Sequence, residues 1–106
     1  MADADILFGV RTPLGFTVLV TRSRWELIAT TKHPVMRGRE SNVRQALESP
    51  DEVRQSRSDA EVLLFYKMEA IRRWVCAVTR RGGDRAFLVT AYPTDAIKEG
   101  IRVWPR

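Results

Sequence analysis

The last third of the chain contains two apolar segments joined by a short polar, glycine-containing segment, and this pattern predicts a β-hairpin. The hairpin is expected to run through residues 72–79, to turn at Arg81-Gly82-Gly83-Asp84 and to return through residues 85–92. Two adjacent glycines are typical of a two-residue hairpin turn, because both central positions favour positive φ. With the turn at Gly82-Gly83, Cys76 is expected to face Val89, and Val75 to face Thr90.

The predicted hairpin has two faces, because successive side chains of a strand point to opposite sides. The first face is apolar throughout and is predicted to belong to the core; it holds Trp74, Cys76, Val78, Phe87, Val89 and Ala91. The second face is mixed and holds Arg73, Val75, Ala77, Thr79, Ala86, Leu88, Thr90 and Tyr92. We expect the second face to carry a polar site near Arg73, Thr90 and Tyr92.

The pattern upstream predicts two strands and two helices. Strands are expected at residues 6–10 and 16–21, and a helix is expected to begin at Ser23, which forms a capping box with Glu26. This helix should end by Lys32 or His33, because a residue before proline is disfavoured in the α region. A second helix is predicted at residues 41–48.

The remaining elements complete an α+β fold in a single domain, residues 1–106. Strands are predicted at residues 62–67 and 101–104, and a helical turn between Thr94 and Gly100. The expected architecture is an N-terminal hairpin, two helices, and then an antiparallel sheet of about four strands with the helices packed on one face. The N-terminal hairpin either extends this sheet or lies apart from it.

Charge and composition narrow the function classes. The formal net charge is +5, and residues 54–85 contain eight basic residues against four acidic residues. A basic sheet region suits a polyanion such as RNA, while the alternative is an ordinary solvated surface. No apolar run reaches the length of a membrane span and no secretory leader is visible, so we expect a cytoplasmic protein without a membrane partner.

The sequence contains few of the residues that metal or cofactor sites need. With one histidine and one cysteine there is no zinc motif, and no glycine-rich loop precedes a helix as nucleotide sites require. Cys76 is expected to be a small buried hydrophobe. We therefore predict no metal and no cofactor.

Five side chains are candidates for acid–base and phosphate chemistry. His33 is either a catalytic base or acid near neutral pH, or a residue that ends a helix. Lys67 and Arg73 either bind phosphate or serve as edge-strand charges. Thr90 and Tyr92 either donate hydrogen bonds to phosphate or form a packing pair.

Several segments together resemble small bacterial and phage-associated domains that are grouped with the barnase, EndoU, colicin and RelE-like nuclease superfamily. These segments are HPVMRGRE at 33–40, PDEVRQS at 50–56, LFYK at 64–67, WVCAV at 74–78 and TAYPTDAIK at 90–98. The resemblance covers roughly residues 12 to 104. It implies helices followed by a four-stranded antiparallel sheet, with RNA cut on the open face of the sheet without a metal.

The resemblance also implies roles for individual residues. By matching position, the catalytic set consists of His33 as base or acid, Lys67 or Arg73 as the cation, Thr90 as a hydroxyl and Tyr92 as an orienting group. Arg54 and Arg57 are implied to contact the phosphates of the substrate.

Three functions are consistent with these observations. The first is a metal-independent, toxin-like ribonuclease that cleaves RNA through its own 2′-hydroxyl. The alternative is a non-catalytic module that binds RNA or a protein, for example a cognate antitoxin. The third is an accessory protein with no discrete site.

Overall fold

A computed structural model describes residues 5–106, which form seven strands and two α-helices. In chain order the elements are β1 (Ile6–Arg11), β2 (Thr17–Thr21), α1 (Arg22–Leu27), a π-helical turn (Ile28–Lys32), a 3₁₀ turn (Pro34–Met36), α2 (Glu40–Glu48), β3 (Glu52–Gln55), β4 (Val62–Ala70), β5 (Arg73–Gly82), β6 (Arg85–Thr94) and β7 (Ile101–Trp104).

The strands form one mixed sheet in the order β1-β2-β6-β5-β4-β3-β7. Strands β3 to β6 form a central antiparallel meander. Strand β2 runs parallel to β6, and the two pair only at Val18 with Ala86 and at Leu19 with Phe87. Strand β7 pairs with β3 at the far edge, so the connection from β6 to β7 crosses the sheet.

The predicted sheet of about four strands is wrong, because the described chain forms seven strands and the helices are short. The N-terminal hairpin extends the sheet through β6. Strand β3 was missed because its sequence is polar and only Val53 is buried. The helical turn expected between Thr94 and Gly100 is absent, since residues 95–100 cross the sheet in irregular backbone.

The first helix begins two residues earlier than the predicted capping box. Thr21 is its N-cap, and the Thr21 hydroxyl accepts a hydrogen bond of 3.2 Å from the backbone N–H of Arg24. Ser23 therefore lies inside the helix. After Leu27 the backbone widens into the π-helical turn, which ends at His33 before Pro34, where the sequence predicted the end.

The helical layer covers one face of the sheet. Helix α2 buries Val43, Ala46 and Leu47, and it contacts β1, β4 and β5. The sheet side of this core includes three alanines, which let the helices approach closely, beside larger apolar residues; its members include Val75, Ala77, Ala86, Leu88 and Ala91. The face predicted to be open is therefore the face that the helices cover.

The hairpin register explains this reversal. The turn residues are Gly83 and Asp84, so Gly82 pairs with Arg85, and a bulge follows where Val78 pairs with Thr90 but Thr79 pairs with Leu88. Cys76 consequently faces Tyr92 and not Val89. The bulge moves Thr90 and Tyr92 to the side of Cys76, away from the helices.

The face of the sheet opposite the helices is also apolar at its centre, and the connection between β6 and β7, here called the crossover, covers it. Ile97 of the crossover packs on Leu64, Tyr66 and Cys76, which are all buried. Both faces of the hairpin are therefore buried at the centre of the sheet, whereas the sequence predicted a core on one face only.

No helix in residues 5–106 is long and apolar enough to cross a lipid bilayer.

Candidate active site

His33 lies at the end of β6, beside the aromatic ring of Tyr92. The π-helical turn ends in a hydrogen bond of 2.7 Å from the backbone N–H of His33 to the carbonyl of Ile28. Pro34 then starts the 3₁₀ turn and fixes the direction of the chain. The half-exposed imidazole lies with its ring centre 5.4 Å from that of Tyr92, at an angle of 43°.

Tyr92 belongs to a row of side chains that crosses three strands. The register places Tyr66 of β4, Cys76 of β5 and Tyr92 of β6 side by side on the face away from the helices. Burial raises the pKa of the Tyr92 phenol well above its usual range, and the neighbouring Cys76 raises it further. The phenol therefore keeps its proton, and Tyr92 can donate a hydrogen bond but cannot act as a base.

The Cys76 thiol is the centre of this row and is fully buried. Burial raises its pKa to about 12, although hydrogen bonding with Tyr92 and Tyr66 acts in the opposite direction. A thiol with so high a pKa is a poor nucleophile at neutral pH. The Cys76 thiol is thus hydrogen-bonded with the hydroxyl of Tyr92, and the aromatic ring of Tyr92 contacts His33.

Arg73 lies at the same end of the sheet, where β5 begins and β6 ends. It lines an open notch of about 230 Å³ together with Arg72, Pro93, Thr94 and Asp95. Arg73 is exposed, and it forms no ion pair with any residue of the described chain. Its guanidinium is therefore available to bind an anion.

Thr90 shares a face with Tyr92, as its position two residues earlier in the strand predicts. Its hydroxyl oxygen is buried, however, and has no hydrogen-bond partner within residues 5–106. A hydroxyl in this position is shielded from a substrate at the surface.

Lys67 is on the opposite face, next to α2, and does not join the other candidates. Its Nζ lies 4.0 Å from Oδ1 of Asp51, and it lines a groove with Asn42 and Gln45 of the helix. The expectation that Lys67 shares one open face with Thr90 and Tyr92 is wrong, because the bulge in the hairpin separates them.

The two predicted phosphate-contacting arginines have different surroundings. Arg54 Nε is 2.6 Å from Oε2 of Glu52, and Arg54 Nη1 donates to the carbonyl of Gly100, so its guanidinium is occupied within the protein. Arg57 is exposed in the loop between β3 and β4. Of the two, only Arg57 is available for a phosphate.

The structure adds residues that sequence reasoning missed. The register places Glu52 beside Tyr66 at the end of the tyrosine–cysteine row, and Ile97 covers the centre of that row. The alternation of Tyr66 with Leu64 was a signal for a shared face, but the bulge at Val89 could not be read from the sequence.

No three His, Cys, Asp or Glu side chains in the described residues are grouped so that they could hold a metal ion. Comparison with protein-family models, with curated proteins and with solved structures finds no match for the chain. The assignment of function therefore depends on the arrangement of His33, Tyr92 and Arg73.

Proposed function

We propose that the protein is a metal-independent ribonuclease in which His33 is the acid–base residue. The observation that supports this proposal most directly is the contact between the imidazole of His33 and the ring of Tyr92, whose ring centres are 5.4 Å apart. Imidazole is the side chain best suited to transfer a proton near neutral pH. Arg73, which forms no ion pair within the described residues, lies at the same end of the sheet and supplies a cation for a phosphate.

The proposed reaction is the attack of the RNA 2′-hydroxyl on the adjacent phosphorus. His33 accepts the proton of the 2′-hydroxyl, and a bond forms between O2′ and phosphorus. The bond from phosphorus to O5′ of the next nucleotide breaks, and this oxygen takes a proton from water. The hydroxide that results takes the proton from His33, which returns to its starting state. The products are a 2′,3′-cyclic phosphate and a free 5′-hydroxyl.

Arg73 and Tyr92 have distinct roles in this reaction. A guanidinium can hold two oxygens of the phosphate and stabilise the charge that develops on them. The Tyr92 phenol is directed towards Cys76, so its ring supports the imidazole and its hydroxyl does not contact the substrate. Tyr92 is therefore a positioning residue.

The test is incubation of the purified protein with single-stranded RNA in the presence of a chelator. We expect fragments ending in 2′,3′-cyclic phosphate, and we expect His33→Ala and His33→Gln to lower the cleavage rate by about 10²- to 10⁴-fold, the contribution typical of general acid–base catalysis. RNA with 2′-O-methyl riboses should not be cut. Equal cleavage by wild type and His33→Ala would refute the proposal.

A second candidate function is a non-catalytic module that binds RNA. Two observations favour it: the Thr90 hydroxyl is buried, and Lys67 is on the other side of the sheet from Tyr92. Two of the five predicted catalytic side chains are thus separated from a substrate at His33. Salt-dependent binding of RNA without cleavage would support this candidate over the enzyme.

A further inference from the structure

A groove opens where β2 separates from β6, at the opposite end of β6 from His33. The two strands pair at only two positions, after which the chain turns away into α1. The groove has a volume of about 360 Å³. Its apolar floor includes Leu19, Phe87 and Val89, and its sides include Arg24 and Arg80.

Among the residues 5–106 that line the groove, the charged side chains are all arginines and none is acidic. Arg80 is already paired with Asp59, with Nη2 3.2 Å from Oδ2. Arg24 is half-buried, and its guanidinium forms no ion pair or hydrogen bond with residues 5–106. Arg24 thus presents an uncompensated cation at the edge of an apolar floor.

Phe87 contributes an aromatic ring to the lining of this groove. Phe87 is half-buried, and the register places it between Leu19 of β2 and Arg80 of β5. Proteins bind single-stranded nucleic acid with aromatic rings that lie beside cations. A base stacks on the ring, and a phosphate of the backbone binds the cation. A groove with apolar residues alone would suit a protein side chain equally well; the free Arg24 favours the nucleic acid.

We propose that this groove is a binding subsite for single-stranded RNA, in which a base stacks on Phe87 and an adjacent phosphate binds Arg24. The subsite is separate from His33, because residues 87 and 92 lie roughly 17 Å apart along a strand. Binding in the groove does not depend on the proposed cleavage, although one RNA strand that spans this distance reaches both positions.

The experiment measures binding of a fluorescein-labelled ten-nucleotide RNA with 2′-O-methyl riboses by anisotropy over a series of salt concentrations. The 2′-O-methyl group removes the nucleophile, so the result is independent of the cleavage activity. The variants are Phe87→Leu, which removes the ring but keeps an apolar side chain, and Arg24→Gln, which removes the charge.

Two matched controls make the same chemical changes elsewhere. Phe8→Leu removes a ring that packs under Arg44, with Arg44 Cζ 4.5 Å from the ring centre, and Arg102→Gln removes an exposed charge on β7 at the other edge of the sheet. Thermal unfolding of each variant confirms that it is folded before its affinity is compared.

We expect Phe87→Leu to weaken binding about tenfold with the salt dependence unchanged. Arg24→Gln should weaken binding and reduce the slope of log K against log salt by about 0.7, as expected for the loss of one phosphate contact to a single strand. Both controls should bind as wild type does. Unchanged affinity of both groove variants, no binding by the wild type, or equal binding of a duplex of the same sequence would overturn the proposal.

Discussion

The Nη1 of Arg54 donates a hydrogen bond of 3.2 Å to the carbonyl oxygen of Gly100, and this bond fastens the crossover to β3. Glu52 holds the same guanidinium through Nε at 2.6 Å. The backbone of Gly100 lies so close to β3 that a Cβ there would be 2.5 Å from the carbonyl oxygen of Gln55. The crossover, which covers the face of the sheet opposite the helices, is thus held to β3 at a position where a side chain has no room.

Gly100→Ala should therefore destabilise the protein. Gly100 has a φ of +80°, so alanine adds the cost of the left-handed region, about 1–2 kcal/mol, to the clash with Gln55. Gly83→Ala is the matched control, because Gly83 has a φ of +69° but no atom within 4 Å of its Cβ position. Chemical denaturation should show the larger loss for Gly100→Ala; equal losses would contradict the close approach.

Two substitutions of Tyr92 distinguish the role of its ring from the role of its hydroxyl. Tyr92→Phe keeps the surface that contacts His33, so we expect kcat for RNA cleavage to stay within about threefold of wild type. Tyr92→Leu removes the ring and should lower kcat by at least about tenfold while KM changes little, since the imidazole loses its support. A large loss of kcat in Tyr92→Phe would mean that the phenol itself acts on the substrate.

Arg73 and Lys67 should differ in their importance for cleavage. Arg73→Gln removes the cation of the notch that has no ion pair within residues 5–106, and we expect a loss of about 10²-fold in kcat/KM, on the scale of other lost transition-state contacts. Lys67→Gln removes a charge on the helix-covered side, where Asp51 is its partner at 4.0 Å, and should leave kcat/KM within about twofold. The reverse order would place the substrate next to α2.

The stability of the protein should fall in alkaline solution because of Cys76. Its folded pKa is raised to about 12, so the thiol stays protonated in the native state while the unfolded chain ionises from about pH 9. The stabilisation is complete below pH 9 and is lost as the pH rises towards 12, at up to about 1.4 kcal/mol per pH unit.

Urea denaturation at pH 8, 9, 10 and 11 measures this dependence. The variant Cys76→Ala should have a shallower decline between pH 9 and 10, where the thiol of the unfolded wild type ionises before its tyrosines do. Identical slopes for the two proteins would show that the thiol does not contribute.

Thr90→Val should stabilise the protein or leave its stability unchanged. The Thr90 hydroxyl is buried without a hydrogen-bond partner in the described part of the chain, and valine has nearly the same shape without the polar atom. Relief of that desolvation is worth about 1 kcal/mol. Denaturation of Thr90→Val beside Thr79→Val provides a contrast, because Thr79 donates to the carbonyl of Leu63 at 3.3 Å. A clear loss of stability in Thr90→Val would reveal a partner for the hydroxyl.

The sequence predicted most elements but not how they assemble. The strand at Ile101–Trp104 and the helix end at His33 were predicted at their observed positions, because proline and alternation are local signals. The register of Cys76 against Tyr92 could not be predicted, since it depends on one extra residue in a bulge, and a one-residue shift exchanges the two faces of a strand. The proximity of His33 to Tyr92 was expected only through the family resemblance.

Strand β3 shows a second limit of the sequence. Glu52 and Arg54 of this strand face the crossover and form an ion pair there. The strand lies inside the sheet, but its polar sequence is typical of a loop. Tertiary contacts of this kind override the hydrophobic pattern.

The parallel seam between β2 and β6 joins positions 18–19 to positions 86–87 through two residue pairs, whereas the meander β3 to β6 is built from consecutive strands. Contacts between near neighbours form early in folding, and contacts that close long loops form late. The pairing of β2 with β6 closes the longer loop, so we expect it to form later than the pairings within the meander. The groove between Leu19 and Phe87 exists only once these two strands are paired, so binding of RNA in the groove would depend on that pairing.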